Sequence, residues 1–121
     1  MEATSSKGKT LITGVIGEDV HIVGIRILEH ALRRAGFNIV SLGIHTTQEE
    51  FIQAALEARA SAILVSSLGG HADLLLSGLR EKCLEAGLKN ILLYLGGHLW
   101  IGKANWEEIE KRFKTMGFNP I

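Results

Sequence analysis

Four short, nearly continuously apolar runs recur along the chain, at 10–16 (TLITGVI), 38–42 (NIVSL), 62–66 (AILVS) and 91–95 (ILLYL), each followed by a stretch of helical period. Strands without a polar residue at every second position are covered on both faces, as in a parallel sheet sandwiched between helices. The helical stretches fall at 23–35, 48–58, 73–86 and 106–116, the first with Ile27, Leu28, Ala31 and Leu32 on one side. Regular strand–helix alternation with right-handed crossovers predicts an α/β fold, a doubly wound parallel sheet of the flavodoxin-like or Rossmann-like kind. Ligands of such sheets sit at the carboxyl ends of the strands, and the order of the strands stays open at this level.

Local punctuation supports these boundaries. AGFN, AGLK and MGFN put Gly36, Gly87 and Gly117 where a left-handed residue closes a helix, each with an apolar residue next. Thr47 with Glu50, and Asn105 with Glu108, have the spacing of capping boxes at the starts of the second and fourth helices. Residues 118–121 read as the start of a fifth strand that stops at once, so the C-terminal strand and helix of such a fold are expected to be shortened.

At 121 residues the chain fits one domain, 10–121, after a flexible N-terminal tail at 1–9. Its 13 Lys and Arg balance 13 Asp and Glu without a basic stripe, which argues against nucleic acid or a charged membrane surface as partner. No segment reaches the roughly 20 apolar residues of a membrane span, and no signal peptide is evident. The single Cys83 falls in a helical pattern as a buried, reduced thiol, which favours a soluble cytoplasmic protein and disfavours a catalytic cysteine.

Asp19, His21 and Gly24, in DVHIVG after the first strand, carry the strongest chemical signal. A carboxylate two residues before an imidazole suits a histidine that binds metal through one nitrogen while the other is held by an acceptor. His45, His71 and His98 also follow strands, although exposed loop histidines are common, and His30 sits mid-helix as a surface or packing residue. Ser66, Ser67 and Leu68 lead into Gly69 and Gly70, and Gly96 and Gly97 end the fourth strand. Small residues at adjacent strand ends form a slot for a flat or elongated group, whereas either glycine pair alone is ordinary turn chemistry. GEDVHIVG is neither a dinucleotide fingerprint nor a Walker loop, Ser66 stands where a phospho-acceptor aspartate belongs, and there is no nucleophile elbow.

Taken together these residues resemble the cobalamin-binding domain family, with its Asp-x-His-x-x-Gly motif at Asp19, His21 and Gly24. Its Ser-x-Leu motif falls at Ser66 and Leu68, and its Gly-Gly at Gly96 and Gly97. From Lys9 onward, stretches such as TGVIGEDVHIVG, AGFNIVSLGI, GLREKCLEAGLK and RFK-x-MGF are similar to the small subunits of glutamate mutases, also called methylaspartate mutases. The resemblance implies that His21 is the lower axial ligand of cobalt in place of the cofactor's dimethylbenzimidazole, with Asp19 holding its other nitrogen. The freed nucleotide tail then enters the slot, with Ser66 hydrogen-bonded to the benzimidazole and Leu68, Gly24, Gly96 and Gly97 as walls. Gly69 stands where the family often has an aromatic residue, and the family continues beyond the position of Ile121, so contacts from those places are unassigned.

The same resemblance implies a cofactor-carrying subunit for adenosylcobalamin-dependent isomerisation of L-glutamate to 3-methylaspartate. Such a subunit is inactive without a larger barrel-type catalytic subunit, with which it forms a heterotetramer of paired small and large subunits. Two alternatives stand beside it. One is a corrinoid carrier for methyl transfer, disfavoured because such carriers usually have a helical cap before the domain. The other is a sensory domain, or a plain divalent-metal binder using the loop histidines.

Overall fold

The structure, a computed structural model, describes residues 8–16, 23–67, 75–97 and 106–119. Its elements run β1 (Thr10–Val15), α1 (Val23–Arg34), β2 (Asn38–Ser41), α2 (Gln48–Ala58), β3 (Ala62–Ser67), α3 (Leu79–Glu85), β4 (Leu92–Gly97) and α4 (Trp106–Thr115). The strands form one parallel sheet in the order β2-β1-β3-β4, the doubly wound arrangement expected from the alternation. Of the predicted N-terminal tail, residues 1–7 lie outside the described residues, while the carbonyls of Gly8 and Lys9 both accept from Asn38. No helix among the described residues is long and apolar enough to cross a membrane.

Adjacent strand residues point to opposite faces, and the register fixes which share one. Ile12 lies beside Ile63, and Ile63 beside Leu93. This row, with Val65 and Leu95, joins Phe51 and Ala55 of α2, Leu79 and Cys83 of α3, and Phe113 of α4 in one buried core. Gly14 belongs to that face because Phe51 needs the room: a Cβ there would stand 2.9 Å from the ring. Thr13, one residue earlier, points the other way, toward α1, where its hydroxyl donates to Glu29.

That contact corrects the predicted face of α1. Ile27, Leu28 and Ala31 are exposed, Ile27 at 66%, whereas Ile25 and Glu29 are buried, Glu29 at 1%. The helix has turned so that a carboxylate with a hydroxyl donor faces the sheet, an outcome that apolar periodicity cannot register. The third helix is also shorter than the predicted 73–86. Gly78, at φ 83°, breaks the continuous right-handed backbone just before Leu79, and residues 73–74 lie outside the described set.

All three glycine stops form as predicted, with Gly36, Gly87 and Gly117 at φ 104°, 94° and 98°. In each the following amide reaches back to the helix, Phe37 to Leu32, Leu88 to Cys83 and Phe118 to Phe113, the double closure of a Schellman motif. Arg59 closes α2 from the same left-handed region, at φ 53°, without a glycine to announce it. The capping box of Thr47 and Glu50 is present, and that of Asn105 lies outside the described residues.

Of the predicted start of a fifth strand, residues 120–121 lie outside the described residues and 118–119 form no strand, although Asn119 is tied to β4. Asn119 donates its backbone N–H to the Leu93 carbonyl at 2.7 Å, and its Oδ1 accepts from the Leu93 N–H at 2.8 Å. Arg80 anchors this edge by donating to the carbonyls of Gly117 and Ile91 and to Asn119 Oδ1.

Candidate functional site

β1 has β2 on one flank and β3 on the other, so the connections that follow β1 and β3 lead to helices on opposite faces and open a crevice between the carboxyl ends of those two strands. The register brings the sequence-predicted strand-end residues to this edge: Val15 lies beside Ser66, Ser66 beside Gly96, and Ser67 beside Gly97. Asp19 and His21 fall between β1 and α1 in sequence and, with Leu68, His71 and His98, lie outside the described residues. Gly24 belongs to the first turn of α1.

The two serines face opposite ways. Ser66 shares a face with Val15, Gly96 and the Thr13–Glu29 contact, and is half-buried. A Cβ built on Gly96 meets no atom of the described residues within 4 Å, so among them the space beside the Ser66 hydroxyl is open. Ser67 points into the core, 1% exposed, with an Oγ that has no hydrogen-bond partner among the described residues. A hydroxyl at the mouth of a cleft that has no side chain at its neighbouring position is a fit for an elongated heteroaromatic group held by one hydrogen bond.

His45, in a left-handed conformation at φ 57°, lies on a cavity of about 460 Å³ also lined by Ile16, Thr46, Gln48, Leu75 and Lys82. There Gln48 donates to the carbonyls of Leu75 and Ser77 at 2.7 and 3.1 Å, tying the approach to α3 to the start of α2. His30 is exposed, as predicted. Among the described residues no cluster of three or more His, Cys, Asp or Glu could hold a metal ion. Burial pushes the Cys83 thiol up despite the nearby Arg80 charge, which suits an inert core thiol.

Sequence reasoning missed Glu29 and Tyr94 on the Ser66 face, and Gln48. Their signals are pairings with residues distant in sequence, such as Thr13 with Glu29 and Leu64 with Tyr94.

The model of the B12 binding domain family matches residues 9–110, and the chain belongs to that family. Comparisons in sequence are more specific. The glutamate mutase sigma subunit of Clostridium tetani is 53% identical over 113 residues, which are 93% of this chain and 82% of that one. That of Clostridium cochlearium gives the same figures, and that of Carboxydothermus hydrogenoformans is 52% identical over 115 residues, 95% of this chain and 84% of its own. Within the B12-binding domains the chain is thus a member of the glutamate mutase sigma subunit family. In structure it resembles a novel cobalamin-binding protein from Desulfitobacterium hafniense, with a TM-score of 0.75 at 17% identity over 94% of this chain. The chain spans about half of that protein, 52%, and the likeness concerns the fold.

Proposed function

We propose that this chain is the cobalamin-holding subunit of a glutamate mutase and that the cofactor it carries is adenosylcobalamin. The observation that carries the reading is the open space over Gly96 beside the Ser66 hydroxyl, at the carboxyl edge of a B12-binding sheet. Relatives named glutamate mutase sigma subunit, at about half identity, favour the mutase over a methyl carrier or a sensory domain.

In this reading His21 would hold the cofactor's cobalt through one imidazole nitrogen, and the Asp19 carboxylate would fix its tautomer and raise its basicity. Ser66 would donate to the benzimidazole of the nucleotide tail, while Gly24, Leu68, Gly96 and Gly97 would shape the walls of its slot. When bound, adenosylcobalamin supplies hydrogen-abstracting radical chemistry through its cobalt–carbon bond, for the conversion of L-glutamate to 3-methylaspartate. The chain's own part is to hold and orient the corrin. The amino-acid site belongs to a larger, barrel-type catalytic subunit, joined in a heterotetramer of paired small and large subunits in the cytoplasm.

The test is titration with adenosylcobalamin followed by its visible spectrum, then mixing with the large subunit of a glutamate mutase. A base-off, histidine-on spectrum that is lost in His21→Ala, together with glutamate isomerisation on mixing, is the expected result. Binding with the cofactor's own base still on cobalt, or no isomerisation by a mixture that holds the cofactor, overturns the proposal.

A further inference from the structure

One short stretch, 43–48, bonds to the chain on either side of it at two places that flank predicted cofactor residues, and it contains none of those residues itself. Toward β1, the Gly43 carbonyl accepts from the Val15 N–H at 2.8 Å and the Thr46 N–H donates to the Val15 carbonyl at 2.9 Å. Thr46 also pairs in parallel with Ile16, the last residue described before the segment with Asp19 and His21. Toward α3, Gln48 Nε2 donates to the carbonyls of Leu75 and Ser77 at 2.7 and 3.1 Å, where the description resumes after the segment with Leu68.

The stretch is itself held firmly. Gly43 and His45 have φ 80° and 57°, and a residue with a side chain keeps the second value only where its surroundings over-determine it. The Thr46 hydroxyl, in a residue 2% exposed, donates to the Gly43 carbonyl at 3.1 Å. A Cβ on Gly14 would stand 3.0 Å from that oxygen, so the bare glycine leaves it its place. Thr47 and Glu50 then close the capping box, which fixes the first turn of α2 and Gln48 with it.

Gln48 spends both amide protons on main-chain carbonyls, and its Oε1 is buried with no hydrogen-bond partner among the described residues. Turning the amide over would set that oxygen against two carbonyl oxygens, so the orientation is fixed and Gln48 is a double donor. Leu76, between the two carbonyls, is buried in the core. Gln48 therefore sets the direction of a backbone whose depth the core already sets.

We propose that Gln48 is a positioning residue of the cofactor site. It fixes the return of the segment that carries Leu68 against the end of β1 that leads to His21, and it acts from the α2 and α3 side of the sheet through these backbones alone. The inference rests on the cobalamin-holding function above. Order supplied by the folded chain need not be supplied by the cofactor, and each backbone residue left to be fixed on binding weakens it about tenfold.

Visible-spectrum titration with adenosylcobalamin compares the unaltered chain, Gln48→Met, Gln48→Glu and Glu49→Gln, each checked by urea unfolding to be folded under the titration conditions. A contact that is merely structural lowers the unfolding midpoint and leaves the affinity of the folded chain unchanged. Gln48→Met, which lacks the donors, is expected to bind about tenfold more weakly or worse, with the histidine-on spectrum retained. Gln48→Glu puts a carboxylate against two carbonyls and loses at least as much at neutral pH. Relative to the unaltered chain it recovers as pH falls, because the protonated carboxyl donates again, and this comparison needs no second variant. Glu49→Gln breaks another tie between α2 and α3, the exposed ion pair with Lys82 at 2.9 Å, and keeps the affinity. Unchanged affinity in Gln48→Met, equal losses in Gln48→Met and Glu49→Gln, or a deficit in Gln48→Glu that is indifferent to pH overturns the assignment while leaving His21-dependent binding intact. Failure of the broader function shows differently, as an unaltered chain whose cobalamin spectrum keeps the cofactor's own base.

Discussion

The Thr13 hydroxyl donates to the Glu29 carboxylate across the buried junction of β1 and α1, and the far oxygen of Glu29 is 3.5 Å from Arg26 Nη1. A carboxylate 1% exposed is held there by that donor and by Arg26, whose head reaches solvent. The pair fixes the rotation of α1 on the sheet and so the place of Gly24, in the first turn of the helix, relative to Ser66.

Removing one partner strands the other in the interior. Thr13→Val leaves Glu29 without its buried donor and is expected to cost about 1–3 kcal/mol in urea unfolding. Thr13→Val with Glu29→Leu loses less than the sum of the single changes, because residues in contact couple by about 0.5–3 kcal/mol. Additive losses would show that the contact contributes nothing of its own.

The glycine stops are not equivalent. At Gly87 an added Cβ meets nothing within 4 Å, so Gly87→Ala pays only the left-handed backbone, about 1–2 kcal/mol. At Gly117 the same Cβ stands 2.5 Å from the Arg80 Cβ, within the anchor of residue 119. Gly117→Ala is expected to exceed Gly87→Ala by about 1 kcal/mol or more through overpacking. Thermal unfolding of the two variants compares them directly, and equal losses would contradict the Arg80 contact.

Cys83 should be silent to thiol reagents at neutral pH and react only as fast as the chain opens, because the nucleophile is the thiolate and burial disfavours it. The folded-state pKa is raised, so this group's contribution is present below the ordinary thiol pKa. It is lost as pH rises, since the unfolded chain ionises first. Cys83→Ser, compared with the unaltered chain across the alkaline range, should flatten that decline. Rapid labelling of the native chain at neutral pH would show a thiol more accessible than the fold allows.

Asp19→Ala, by loss of the acceptor behind a metal-binding histidine, should weaken adenosylcobalamin binding about 10- to 100-fold. Ser66→Ala acts only on the tail, so it should reduce cobalamin affinity and spare cobinamide. Titration of both variants with both corrinoids separates the two roles, and the same loss of both ligands in Ser66→Ala would remove that residue from the tail site.

Element order and the three glycine stops were legible because they rest on local signals: a run of apolar residues, a helical period, a glycine before an apolar residue. The shared edge of Ser66 and Gly96 followed from the fold class, since parallel strands deliver their carboxyl ends to one side. What escaped depends on partners far along the chain. Glu29 reads as a surface residue until Thr13, 16 positions away, is placed beneath it. Ser66 and Ser67 are neighbours in sequence, but the pleat sends them to opposite faces, and Tyr94 gains meaning only from the strand order beside it. Arg59 ends α2 in a conformation usually left to glycine, without a local sequence mark.

The central claim is that His21 supplies a nitrogen to cobalt in place of the cofactor's own base. Electron paramagnetic resonance of the cobalt(II) form, bound to chain made with ¹⁵N-histidine and then with ¹⁴N-histidine, reads the axial nitrogen itself. The account predicts that the nitrogen splitting changes with the isotope in the protein and that this dependence is absent in His21→Ala. A splitting indifferent to the histidine label, with the benzimidazole nitrogen still on the metal, would contradict it.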